Sequence, residues 1–276
     1  YARKIVKKDM LLIEIAEKIE AEIVKQGGKP AFPVNLGINE HAAHYTPSYN
    51  DETKASGLLK VDFGVSIDGF TADNALSIDL ENNETNKKLI KASEEALKTG
   101  IEAVKQGKSL GEIGKSINET AEKNGFTTIK NLSGHSIEQG NLHAGITIPN
   151  YDNLKETKLD DGIYAIEPFI IPSNATGMVY DGKPSGIYEL VKGGNVRDNN
   201  ARELLNYIAE TYETLPFCSR WLVKKFGTRA LISLSLLEKA GILHQFSQLI
   251  EKSKAVVAQS EHTLIIHQGK VEIVTE

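Results

Sequence analysis

Apolar residues recur at helical spacing over 9–26, where Leu12, Ala16, Ile19 and Ile23 fall on one face. Asp9 stands where an N-cap belongs, and Gly27-Gly28 ends the pattern. Residues 29–57, rich in Pro, Asn and His, predict loops with short strands. The period then changes to two. Leu58–Ile67 and Phe70–Leu80 flank Asp68-Gly69, and an Asp-Gly pair between alternating segments predicts a β-hairpin. Two further helices follow. One spans 84–106 with Leu89, Ala92, Ala96 and Ile101; the other opens on the capping box Ser109–Glu112 and ends near Gly125. Strand-like segments recur at Thr127–Leu132, Gly162–Ile171, Gly186–Val191 and Val256–Val274, the last turning at Gln268-Gly269.

Residues 196–254 differ from their surroundings. Helical periods at Arg202–Thr211, Ser219–Phe226, Leu231–Ala240 and His244–Lys254 predict an inserted helical subdomain, leaving 1–195 and 255–276 as the main domain. Without the insert, a helix and hairpin are followed by helices and strands, a rough internal duplication. The pattern predicts an α+β fold, with helices backing a curved, mostly antiparallel sheet.

Composition narrows the function. The 276 residues carry 32 Lys+Arg against 37 Asp+Glu, a formal charge of −5, and only five cations are Arg. Nucleic-acid binders favour clustered Arg and a positive face, so that class is disfavoured. The insert does not change this, with nine Lys/Arg and six Asp/Glu over 195–257. One cysteine, Cys218, excludes an intramolecular disulfide and a Cys-rich zinc site and fits a reducing compartment. No apolar run reaches the roughly 18–20 residues of a membrane span, and no secretory signal is visible behind Tyr1-Ala2-Arg3-Lys4. The expectation is a cytoplasmic monomer.

The hairpin carries the first chemical signal. A two-residue turn at 68–69 sets Asp62 opposite Ala75, so Asp62 and Asp73 are diagonal neighbours on one face. Two carboxylates about 7–8 Å apart repel unless they are solvated or neutralised by a cation. Taken alone, such a pair is more often solvated, and a bulge would break the parity. Other acids and imidazoles sit on apolar segments: His135 beside Gly134, Glu167 in Ile163–Ile171, and Glu261 in Val256–Ile266. Each alone is more often a hydrogen-bonded or edge residue than a ligand. Spaced by 11, 62, 32 and 94 residues, the five suit a metal site assembled from several strands. No local metal, nucleotide or nucleophile motif is present.

These residues lie in motifs that resemble the type II methionine aminopeptidases. In order they are Ala31-Phe32-Pro33 leading to Ala42-Ala43-His44-Tyr45-Thr46-Pro47; Val61-Asp62-Phe63-Gly64 with Asp73; Gly134-His135-Ser136-Ile137 with Leu142-His143-Ala144-Gly145; Tyr164-Ala165-Ile166-Glu167; and Ala258-Gln259-Ser260-Glu261-His262-Thr263. The resemblance covers nearly the whole chain. It implies the pita-bread fold shared with prolidase and creatinase, and places the insert where type II enzymes carry a helical one, in a compact, archaeal-like form.

By this resemblance Asp62, Asp73, His135, Glu167 and Glu261 hold two divalent cations, cobalt, manganese, iron(II) or zinc. Asp73 and Glu261 bridge, Asp62 holds one ion, and His135 with Glu167 the other. A hydroxide between the ions attacks the first peptide bond, removing methionine from nascent polypeptides with a small second residue, with the ribosome as the place of encounter. His44 acts in catalysis, polarising the scissile carbonyl or assisting proton transfer; His143 contacts substrate; Glu167 also relays a proton; Phe32 and Leu142 line the methionine pocket. Composition alone does not separate His44 from His41, or His143 from His262. An Xaa-Pro peptidase and a catalytically silent binding protein are the alternatives on the same fold.

Overall fold

A computed structural model describes residues 1–276. The hairpin is unbroken: Leu58–Ile67 pairs with Phe70–Asp79 from Leu58↔Asp79 to Ile67↔Phe70, with Asp62 opposite Ala75 as predicted. Asn35–Ile38 and Lys29–Pro30 extend this sheet on the other side of Leu58–Ile67. The helix Leu12–Lys25 covers its back, and Leu12, Ile15, Ile19, Leu36, Leu59 and Val61 form a shared core. Asp9 does not cap this helix: it adopts a positive φ, and Leu11 occupies the N-cap.

The second half is an antiparallel five-stranded sheet, ordered Lys270–Ile273, His262–His267, Gly162–Ile166, Ser133–Ile137, Thr147–Pro149. Helices Glu84–Lys105 and Leu110–Lys123 pack behind it through Leu89, Ala96, Ile101, Ile113 and Ile117 against Ile166 and Leu264. Asn83 caps the first of these, and the Ser109–Glu112 capping box forms on the second. The expected long strand 162–171 breaks at Glu167-Pro168, since proline cannot donate to a ladder. Its second piece, Phe169–Pro172, joins Phe126–Thr128 and Ala258–Gln259 in a separate three-stranded sheet. The strand expected at 127–132 is thus reduced to Phe126–Thr128.

Within 196–254, helices Asn199–Thr211, Ser219–Phe226 and Arg229–Lys239 share a core of their own, built on Leu204, Ile208, Phe217, Leu222 and Leu234. The helix expected at 244–254 is instead the strand Leu243–Glu251, which pairs with both Val179–Leu190 and His41–Ala43. Its apolar positions satisfy a helical period, but pairing on both edges satisfies its backbone and overrides that signal.

One buried ion pair fastens the helical block to the first half. Arg220 donates twice to Glu20, at 2.7 and 2.8 Å, and its Nε donates to Pro47 O at 3.1 Å. Trp221 Nε1 donates to the same Glu20 carboxylate. Removing one partner strands a buried charge, which costs about 3–5 kcal/mol. Arg220→Met is therefore expected to lower stability by about that much in urea unfolding; a loss below about 1 kcal/mol would refute the fastening.

Candidate metal centre

The five predicted ligands come from four backbone segments that meet at one cavity. Asp62 and Asp73 arrive on the two hairpin strands, His135 on Ser133–Ile137, Glu167 just past Gly162–Ile166, and Glu261 between Ala258–Gln259 and His262–His267. The strand pairing His135↔Ala165 and His262↔Ile166 sets the last three side by side. Close approach is built into the sequence. A Cβ on Gly134 would meet Ala165 O at 2.2 Å, and one on Gly64 would meet the Phe32 ring at 2.5 Å.

Local clamps fix the acids. Thr263 Oγ1 accepts from Asp73 N at 2.7 Å and donates to Asp73 O at 2.8 Å. Asn74 Nδ2 donates to Glu261 O, and Glu261 N donates to Ala75 O. Asn150, itself buried, donates to Glu167 O where the strand breaks.

One ligand atom each from Asp73, His135 and Glu261 lies within 4.8 Å of the others, and all three side chains are buried. His135 Nε2 lies 3.7 Å from both Asp73 Oδ2 and Glu167 Oε1, near both but beyond hydrogen-bond reach. Asp62 Oδ1, Asp73 Oδ1 and Glu261 Oε1 are buried with no hydrogen-bond donor. No Lys or Arg pairs with any of the four acids within 4 Å. Burial pushes Asp62 up to about 7. Asp73, Glu167 and Glu261 are driven well above the usual carboxylate range, first by burial and then by one another's charge. Burial lowers His135 to about 3, so its ring is neutral with a lone pair to offer. Unpaired oxygens, repelling acids and a neutral imidazole are the donor set of a divalent cation.

The acids form one end of a cavity of about 320 Å³, whose walls include Phe32, Leu142, His44 and His143. Phe32, Leu142 and Ala31 pack as a small apolar cluster. His143 stacks edge-on against His135 at 4.5 Å between ring centroids, and desolvation lowers its pKa. His44 has φ +60°, a left-handed conformation a histidine seldom adopts, and burial lowers it to about 4. Its Nδ1 lies 3.3 Å from Ser247 O and its ring is edge-on to Phe246. The other histidines are placed elsewhere: His41 Nδ1 faces Ile38 O, and His262 Nδ1 faces Thr275 Oγ1.

Other wall residues escaped the sequence reading. Phe246 and Leu249 belong to the strand read as helix, and Pro216 comes from the helical block. Gln259, buried among the acids, shares strand parity with Glu261, so the period of two could have found it.

The sequence profile of metallopeptidase family M24 matches residues 1–201. A methionine aminopeptidase of Pyrococcus abyssi is 43% identical over 282 aligned positions, spanning 100% of this chain and 94% of the relative. Among solved structures, a thermophilic Arx1 superposes with a TM-score of 0.81 at 13% identity, over 99% of this chain and 85% of that one. A methionine aminopeptidase from Thermotoga maritima gives 0.67 at 21% identity, over 100% of this chain and 89% of that one. The structural matches speak for the pita-bread fold. The profile and the end-to-end identity go further: the chain belongs to metallopeptidase family M24, among its archaeal-type methionine aminopeptidases.

Proposed function

We propose that this chain removes the N-terminal methionine from nascent polypeptides with a small second residue, using two divalent cations held by Asp62, Asp73, His135, Glu167 and Glu261. The observation that carries this reading is the cluster of buried carboxylates that has no internal cation and opens on a cavity with an apolar wall. Asp73 and Glu261 would serve both cations, Asp62 would hold one of them, and His135 with Glu167 the other. When bound, such a pair of cations lowers the pKa of a shared water and polarises the scissile carbonyl. Oxygen-rich ligands with one imidazole suit manganese, iron(II) or cobalt, and also accept zinc.

The chain's own groups do the rest. Phe32 and Leu142 offer an apolar surface to the methionine side chain, whose flexible thioether fits such walls. His44 is neutral, and donation from Nδ1 to Ser247 O leaves the lone pair on Nε2. That tautomer accepts an N–H and does not donate to the carbonyl; to protonate the leaving nitrogen, Nε2 would first take up the proton that the attacking water loses. His143 contacts the substrate near His135. Glu167, adjacent to the cavity and raised in pKa, shuttles a proton as well as ligating. No helix is long and apolar enough to cross a membrane. We place the enzyme in the cytoplasm as a monomer that meets its substrates as they leave the ribosome.

Cleavage of Met-Ala-Ser, with Met-Lys peptides and Xaa-Pro dipeptides spared, is the expected result for the metal-loaded enzyme. Preferential Xaa-Pro hydrolysis would overturn the methionine assignment. Asp73→Ala or Glu261→Ala should abolish dinuclear metal uptake and turnover together, and retained turnover at saturating manganese would remove them from the site. His44→Ala should cut kcat about 100-fold or more with metal content intact; metal loss instead would make it a ligand.

The acid cluster also sets a pH dependence. Folded-state pKa values raised above the unfolded ones mean that the metal-free fold holds extra protons. Its stability contribution is complete below about pH 4 and is lost as pH rises through about 7. Calorimetry of chelated protein should show Tm falling between pH 7 and 8, above the range in which the lowered histidines oppose the acids. Manganese at about 100 times Kd should restore about 2.7 kcal/mol at pH 7.5, several degrees of Tm. A chelated Tm that rises over this range would contradict the electrostatics.

A further inference from the structure

The geometry points to Gln259 as a positioning residue that spans the two cation sites; the inference rests on the dinuclear reading above. Gln259 is 1% exposed and lies between acids from different parts of the sheet. Its Nε2 is 3.4 Å from Asp62 Oδ2 and 3.4 Å from Glu167 Oε2. Asp62 belongs to one proposed cation site and Glu167 to the other, so one amide fixes a carboxylate of each.

The chemistry of the position favours an amide over its rivals. A lysine or arginine there would neutralise the carboxylates and compete with the cations for them. An aspartate or glutamate would add to the repulsion that already raises these acids. A neutral NH₂ group donates two hydrogens and adds no charge. The assignment of its nitrogen and oxygen follows from the same acids, since the flipped amide would set Oε1 against both carboxylates.

Two more observations separate positioning from space-filling. Gln259 Oε1 is buried without a partner. Such an oxygen is costly to bury, a cost that an apolar residue of similar shape would avoid. The backbone is also held at both ends: Gln259 N donates to Ser77 Oγ at 2.9 Å, and Ser77 Oγ donates to Gln259 O at 2.8 Å. Ser77 lies on the strand that carries Asp73, and Gln259 pairs with Phe169, two residues past Glu167. The amide is therefore anchored to the strand that pairs with the one carrying Asp62 and to the strand that begins just after Glu167. With Nε2 occupying Asp62 Oδ2 and Glu167 Oε2, the donor-free Asp62 Oδ1 is left to face a cation. Partners of metal ligands typically contribute 10–100-fold to affinity.

The test uses Co(II) alone as probe, with wild type and Gln259→Met, which keeps the volume and removes both donors. Titration calorimetry should show at least tenfold weaker Co(II) binding for Gln259→Met, with an altered visible Co(II) absorption. The chelated variant should melt within a few degrees of chelated wild type; a merely structural role would instead lower that melting point and leave the Co(II) spectrum unchanged. Wild-type affinity and spectrum in the folded variant would overturn the proposal. Should Gln259→Met not fold, Gln259→Asn decides: it keeps the amide one methylene short, so weaker Co(II) binding supports the span and unchanged binding overturns it. Failure of wild type to take up Co(II) would overturn the dinuclear reading itself, whereas equal uptake by both proteins overturns only the role of Gln259.

Discussion

Four carboxylates, two buried and two half-buried, held against one another without a lysine or arginine are the constraint around which this fold is arranged. Left to themselves, such groups separate, protonate or draw in water. Here they are kept together through their backbones. The Thr263 hydroxyl holds both peptide groups of Asp73, and Asn74 holds the carbonyl of Glu261. The framework thus carries the repulsion that a bound cation relieves.

The same logic explains the architecture. A single strand places alternate side chains about 7 Å apart on one face, too sparse for a compact cluster. Curving the sheet and breaking it at Glu167-Pro168 turns several strand ends toward one point. The helices behind supply apolar area that keeps the curved sheet rigid, and the helical block supplies Pro216 to the far wall of the cavity. Glu20 and Arg220 hold that wall to the first helix, and Arg220 also grips the carbonyl of Pro47, three residues from the strained His44.

Local signals made much of this legible. Asp68-Gly69 fixed the hairpin register, and register alone put Asp62 and Asp73 on one face. The capping box at Ser109 marked its helix to within a residue. The five proposed ligands were singled out through motif resemblance, because spacings of tens of residues carry no periodicity. What was not legible depended on distant partners. Leu243–Glu251 has a helical apolar pattern and becomes a strand only because Val179–Leu190 and His41–Ala43 lie on either side. With that strand misread, Phe246 and Leu249 could not be placed in the cavity. The Glu20–Arg220 pair likewise has no local signature, its members standing 200 residues apart.

Those separations bear on how the molecule is made. Thr263 clamps Asp73 across 190 residues, and Glu20 waits as long for Arg220. Loops of that length close late and slowly, after local hairpins and helices have formed. During synthesis Asp62 and Asp73 emerge on the hairpin long before Glu261 does. The acids are thus brought together only at the close of folding, and the exposed hairpin edge must be protected until then.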